Sequence, residues 1–263
     1  MIRIFVGCSA NGEDAEAQAM LEYTLRKHHI GEETLTIEWM MLSRDPASPW
    51  YSDPRRGAGW NTRGWATPFS AFRWGVPHAC NYAGRAIYLD VDMIAMDDIA
   101  KLWEQKIPDN VCMLTKDEKH SCVILFDCWR AKSALPNFEA LRRTEGLYRK
   151  VRQSIKTARF AGNWNCLDGE SYASLSDADI KIIHFTRVET QPHLKWALPR
   201  LRASGKMHWN RMAFEQPHAR KDVRGLVDEL WRETQAAGYS VERYLPKEQF
   251  GAYDMVRGGA RAA

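Results

Sequence analysis

A chain of 263 residues can bury one full core, and a single α/β domain accounts for that length without a second unit. The 37 Lys and Arg against 33 Asp and Glu give a formal net charge of +4, spread along the chain, which excludes a concentrated nucleic-acid footprint and stays compatible with phosphorylated ligands or an acidic surface. The six cysteines, Cys8, Cys80, Cys112, Cys122, Cys128 and Cys166, form no C-x-x-C pair and no zinc spacing, so free, mostly buried thiols in a reducing cytoplasm are expected.

Residues 2–6 read as a first strand ending at Gly7-Cys8-Ser9. This stretch is too short and turns polar too early for a signal peptide, and no later stretch reaches the roughly 18 apolar residues of a membrane span. A soluble cytoplasmic chain is expected, with peripheral membrane contact left open. Asn11-Gly12-Glu13-Asp14 opens a helix whose Ala17, Met20, Leu21, Thr24 and Leu25 form a buried stripe, and residues 36–40 read as a second strand. This β-α-β opening predicts a parallel sheet with Gly7, Cys8 and Ser9 on its carboxyl edge, either as a nucleotide contact or as an ordinary turn.

Residues 43–68 lose periodicity and gather Pro, Gly, Arg and Trp. Trp50, Tyr51, Trp60 and Trp65 suit stacking on a sugar or base, yet most are expected to pin the loop to the protein body. Arg55, Arg56 and Arg63 are candidates for phosphate. Residues 67–74 read as a helix carrying Arg73 toward the next segment.

That segment, Arg85-Ala86-Ile87-Tyr88-Leu89-Asp90-Val91-Asp92-Met93-Ile94, organises the chain. Its first half has the apolar, β-favouring character of a fully buried strand, and the aspartates come where the strand should end. Ligands of open α/β sheets sit at carboxyl ends, and alternate residues of an extended segment share a side, so Asp90 and Asp92 can face one cation. Two hard oxygen ligands suit Mn²⁺ or Mg²⁺. Asp-x-Asp also arises by chance or as a cap, although Asp97, ahead of a helix over residues 98–105, is the better cap.

Residues 111–114 and 122–126 are further strands, the second ending in Asp127, and residues 135–160 read as helical and basic. A polar loop from Asn163 through Asp168 to Glu170 leads to a buried strand over residues 180–185, with His184 at its end. A lone strand-end His is usually structural, but with the two aspartates it completes an O,O,N set for Mn²⁺. Residues 222–237 form one strong helix, and residues 257–263 read as a frayed tail.

On these residues the chain, from its first strand to about Trp196, resembles the GT-A-fold glycosyltransferases, most closely family 8. The anchors are Phe72-Arg73, Asp90-Val91-Asp92, the strand into Asp127 followed by Trp129, Trp164-Asn165, and Ile182-Ile183-His184-Phe185-Thr186. The resemblance implies an α/β fold with a Rossmann-like mixed sheet flanked by helices. Residues 1–200 would bind the nucleotide sugar and catalyse, and residues 201–263 would form a helical extension on the same domain. It further implies that Asp90, Asp92 and His184 hold Mn²⁺ or Mg²⁺ against the diphosphate of a donor, usually a UDP-sugar, with Val91 between them on the donor side. Arg73 would reach the donor, and transfer would proceed with retention to an unknown glycan, lipid or small-molecule acceptor. The family's His-x-x-Gly-x-x-Lys-Pro-Trp run is replaced here by His184-Phe185-Thr186-Arg187-Val188-Glu189-Thr190-Gln191-Pro192-His193, so either Gln191, Arg187 or Lys195 stands in for the diphosphate-binding lysine or the site has changed. An Asp-Gln-Asp segment is also absent, and Asp168 is the candidate for part of its role.

The expected function is therefore a metal-dependent glycosyltransferase. One alternative is a phosphatase of the haloacid dehalogenase type with Asp90 as nucleophile and Asp92 as acid/base, although that motif normally lies near the chain start. The other is a non-catalytic nucleotide-sugar-binding module.

Overall fold

The computed structural model describes residues 1–170, 174–175 and 179–255; the tail at 257–263 lies outside the described residues. Eleven described strands run in chain order: β1 Ile2–Gly7, β2 Leu35–Met40, β3 Ser52–Asp53, β4 Ala58–Gly59, β5 Arg85–Asp90, β6 Met93–Ala95, β7 Met113–Thr115, β8 Val123–Asp127, β9 Ala158–Arg159, β10 Cys166–Leu167 and β11 Ile182–His184. The helices are α1 Ala15–His28, α2 Val76–Ala79, α3 Ala100–Trp103, α4 Cys128–Ala134, α5 Phe138–Arg143, α6 Leu147–Ser154, α7 Leu194–Ala203 and α8 Lys221–Ala236, with 3₁₀ turns at Phe72–Gly75 and Val241–Tyr244.

The main sheet has the order β2-β1-β5-β8-β7-β9. β1 pairs in parallel with β2 and β5, whereas β8 runs antiparallel to both β5 and β7. β5 lies at its heart, with Ala86, Ile87, Tyr88 and Leu89 fully buried, as a continuous apolar run predicts. A smaller sheet, β10-β11-β6, stands beside it. The chain leaves the large sheet at Asp90 and enters the small one at Met93, so Asp90-Val91-Asp92 bridges the two sheets. β11 pairs antiparallel with β6 in the register His184↔Met93, which brings His184 next to Asp92.

Several expectations are corrected. α1 buries Ala15, Glu16, Gln18, Ala19 and Glu22 besides the anticipated stripe, because it is wrapped on more than one side. Ala17, Leu21 and Leu25 meet the main core, Met20 meets α8, and Ala15 and Ala19 meet Val241 and Tyr244. Its buried carboxylates are answered: Arg200 donates to Glu16 at 2.6 and 2.8 Å, and Tyr244 to Glu22 at 3.0 Å. The helix expected at 67–74 is a 3₁₀ turn over its last residues that runs on into α2. That expected at 98–105 shrinks to α3, and Asp98 rather than Asp97 meets its first turn, accepting from the Ala100 amide at 2.9 Å. Asp97 instead accepts from the Asp98 amide and from Lys101. The long basic helix at 135–160 is α5 and α6, broken at Gly146 with φ +71°, followed by β9. α7 carries Pro199 within it and spans the boundary expected at residue 200.

The tryptophans at 50, 60 and 65 are core residues, 5%, 1% and 5% exposed, packed edge-on or tilted against Phe72. They pin the 43–68 loop, as expected for most of them. α8 buries Val223, Val227 and Leu230 against Met20, Ile94, Ile183 and Phe185. No described helix is long and apolar enough to cross a membrane.

Candidate active site

Asp90 closes β5 and its charge is met from inside the protein. Arg73 Nη2 donates to Asp90 Oδ1 at 2.9 Å and to Oδ2 at 3.2 Å, while Nη1 donates to the Ser121 carbonyl at 2.6 Å. Tyr88, two residues earlier and therefore on the same side of the strand, donates its hydroxyl to Asp90 Oδ1. Burial disfavours the guanidinium charge, but Asp90 beside it holds the Arg73 pKa well above its ordinary value. Burial, reinforced by Asp90, pushes the Tyr88 phenol well up, so it remains a donor.

Asp92 is differently placed. Gln191 Nε2 donates to Asp92 Oδ2 at 2.5 Å and to the Phe185 carbonyl at 2.9 Å. Oδ1 is buried, has no hydrogen-bond partner among the described residues, and lies 3.4 Å from His184 Nε2. On its other side, His184 Nδ1 meets Asn165 Oδ1 at 3.0 Å. An amide oxygen only accepts, so with the amide in this orientation Nδ1 carries a proton and Nε2 is directed at Asp92. Burial raises the Asp92 pKa, with His184 offsetting part of the rise. Burial also works against charge on His184, yet Asp92 and Asp90 lift its pKa above the ordinary value. The pair therefore retains a proton to higher pH than either group alone, and a divalent cation can replace that proton. One ligand atom each from Asp90, Cys122 and His184 also lie within 4.8 Å of one another. The orphaned Asp92 oxygen and the aligned imidazole thus fit a metal ion. Cys122 is a neutral thiol here, its pKa raised by burial and by Asp90.

The structure sets the other expected site residues around this cluster. Gly7 pairs with Asp90 across the sheet, and its carbonyl accepts from the Val91 amide at 3.2 Å. A Cβ at Gly7 would stand 2.7 Å from the Tyr88 hydroxyl and 2.9 Å from Phe69, so close packing demands the glycine. Cys8 and Ser9 are fully buried. Ser9 accepts from the Asp14 amide at 3.2 Å, and its own amide donates to Asp14 Oδ2 at 2.8 Å. Val91 is buried as well. Asp168 Oδ1 accepts from the Thr186 hydroxyl at 2.7 Å and amide at 3.1 Å, and Oδ2 lies 3.8 Å from His218 Nε2. Lys195 pairs with Asp228 at 2.8 Å, and Arg187 is exposed.

Sequence reasoning gave no role to Tyr88, Cys122 and Lys116, and named Asn165 only as part of an anchor of the resemblance. The two-residue period marks Tyr88 as sharing a side with Asp90, and that signal was legible. Cys122 sits opposite Asp90, whose amide donates to the Cys122 carbonyl at 3.1 Å, but only the antiparallel β5–β8 pairing reveals it. Lys116 reaches the Asn165 carbonyl at 2.8 Å and Glu170 at 2.5 Å from β7's end, across a sequence gap no spacing encodes. A cleft of about 630 Å³, lined in part by His78, Tyr82, Lys132 and Phe138, shares no residue with the carboxylates. A void of about 10 Å³, room for about one water, touches Asp92 and His193. Convergence of Asp90, Asp92, His184 and Arg73, rather than cavity size, marks the site.

A mixed sheet flanked by helices, with an acidic pair at the end of its central strand, defines the GT-A fold. Among solved structures, an active-site mutant of LgtC is similar over 90% of this chain and 96% of its own, at 9% identity and a TM-score of 0.51. The galactosyltransferase LgtC in complex with donor and acceptor sugar analogs is similar over 89% and 96%, at 8% identity and a TM-score of 0.50. At such identity the likeness is one of fold. No family model matches the chain, and no curated protein matches it in sequence.

Proposed function

We propose that the protein is a metal-dependent glycosyltransferase that moves a sugar from a nucleoside diphosphate donor, a UDP-sugar, to an acceptor hydroxyl with retention of anomeric configuration. The observation that carries the reading is the bridge between the sheets: Asp92, with one unpartnered buried oxygen 3.4 Å from His184 Nε2, stands beside Asp90 in a GT-A fold.

Asp92 and His184, with Asp90 at the strand end, would hold Mn²⁺ or Mg²⁺. Bound there, the ion supplies charge neutralisation to the diphosphate and to the leaving nucleotide. Asn165 fixes the His184 ring so that Nε2 points at the ion site. Gln191 holds the Asp92 carboxylate in place by its second oxygen, a neutral group where a lysine would bring charge. Arg73 pairs with Asp90 and adds positive charge beside the site. Asp168 anchors the turn after His184 through Thr186, and we assign it the shaping of the acceptor side.

Calorimetric titration of UDP with and without Mn²⁺, repeated on Asp92→Ala, tests the proposal. Binding that requires both the metal and Asp92 is expected. Absence of binding under either condition, or binding indifferent to Asp92, would overturn it.

A further inference from the structure

Asp14, His193 and His208 come from three separate segments and meet inside the protein. Asp14 ends the loop after β1, His193 stands at the start of α7, and His208 follows α7; they are 3%, 3% and 4% exposed. One ligand atom from each lies within 4.8 Å of the other two. Nε2 of His193 and Nε2 of His208 are buried and make no hydrogen bond among the described residues. His208 Nε2 lies 3.8 Å from Asp14 Oδ1, too far for a hydrogen bond. Two buried, unpartnered ring nitrogens carry a desolvation cost that a hydrogen bond or a ligand must offset.

We propose that Asp14, His193 and His208 bind a transition-metal ion of the zinc type, at a site separate from Asp90, Asp92 and His184. Two imidazoles and one carboxylate form a set that Zn²⁺, Co²⁺ and Fe²⁺ accept, whereas Mg²⁺ prefers oxygen throughout. With bonds of about 2.0–2.1 Å, tetrahedral ligand atoms stand about 3.3 Å apart, so the three atoms need to close by no more than about 1.5 Å. His208 Nδ1 lies 3.3 Å from the Asn210 carbonyl; donating there frees Nε2 for the metal. The opposite tautomer accepts from the Asn210 amide at 3.1 Å, and metal binding selects between them. The nearby Arg200 cation is already paired with Glu16. The ion would clamp the loop after β1 to α7. Ser9 hangs from Asp14 on one side, and Gln191, which holds Asp92, precedes His193 by two residues on the other.

The full chain, stripped with chelator, is titrated with Co²⁺, whose visible absorption reports nitrogen ligation, and then with Zn²⁺ in competition. Asp92→Ala is expected to retain one tight Co²⁺ equivalent that Zn²⁺ displaces, together with a Zn²⁺-dependent rise in thermal midpoint. His208→Gln, folded by far-ultraviolet circular dichroism, is expected to lose both, its affinity falling by more than the roughly 10–100-fold that removing an outer partner costs. Asp14→Asn, which keeps an oxygen for the Ser9 amide, should weaken binding in the same direction. Zn²⁺ affinity unchanged in His208→Gln, or absent from every variant and the parent, would overturn the site. Because His208→Gln leaves Asp90, Asp92, Cys122 and His184 intact, metal binding lost with it bears on this inference whether or not the glycosyltransferase reading stands.

Discussion

Asp90 and Asp92 are separated by Val91 alone and live in different electrostatic worlds. Asp90 spends both oxygens on Arg73 and Tyr88, so its charge is already balanced. Asp92 keeps one oxygen free and faces an imidazole. Substitution should therefore separate them. Asp92→Asn is expected to abolish Mn²⁺-dependent UDP binding while leaving the fold nearly as stable, since Gln191 still finds an acceptor. Arg73→Ala is expected to destabilise by about 3–5 kcal/mol in urea unfolding, because it leaves Asp90 buried without its counter-charge. Asn165→Ala frees the His184 ring and should weaken Mn²⁺ binding roughly 10–100-fold by titration, with little change in stability. These contrasts were partly legible. Asp-x-Asp at the end of an apolar strand stands out in one dimension, and so does Tyr88 once the period of two is applied. The Arg73–Asp90 pair does not, because a 3₁₀ turn rather than the expected helix aims the guanidinium.

At the scale of elements, the long aromatic loop and the start of α3 show how local sequence both guides and misleads. The absence of periodicity over residues 43–68 correctly excludes long regular structure, while Trp60, 1% exposed, makes the segment part of the core. Trp60→Ala is expected to cost about 3–5 kcal/mol, measured by denaturant unfolding. Strong elements were readable for different reasons, β5 as an unbroken apolar run buried on both faces and α8 by the helical period of its apolar stripe. Short ones such as α3 were not, since four residues leave no period to detect, and their caps are chosen by tertiary contacts. Asp98 shows the choice: besides the Ala100 amide, it receives His29 Nδ1 at 2.9 Å from the end of α1. Burial works against the His29 charge, but Asp98 raises its pKa, and the same contact lowers that of Asp98 despite burial. Stability from a raised His pKa is fully present below its unfolded value of about 6.5 and fades as pH climbs through the folded one. Stability from the depressed Asp98 pKa is present above about 3.9 and fades as pH falls. His29→Ala should thus cost about 1 kcal/mol near pH 5.5 and clearly less near pH 9, read by urea unfolding at each pH.

Across the whole molecule, the site is assembled from segments that the sequence keeps far apart. Asp90 comes from the large sheet, His184 from the small one, and Arg73 from the turn before them, so topology rather than spacing brings them together. Of the small sheet β11 was legible as an apolar run, whereas β6 and β10 were not, because two- and three-residue strands carry no alternation. The chain's last described stretch closes the arrangement: Tyr253 accepts from the Ala10 amide at 2.8 Å and donates to Glu13 at 3.1 Å, and Gly251 exchanges hydrogen bonds with Asn11. Replacing Tyr253 with Phe should leave the core intact and speed hydrogen exchange at the Ala10 and Asn11 amides by about tenfold or less, the equivalent of about 1 kcal/mol. That contact spans 243 positions. At an elongation rate of roughly 5–20 residues per second, the first strand and its loop wait between roughly ten and fifty seconds for the residues that fasten them. During synthesis, therefore, the earliest-made part of the site is among the last to be fully secured, and a nascent chain lacks the Tyr253 fastening of its loop after β1 until residue 253 has left the ribosome.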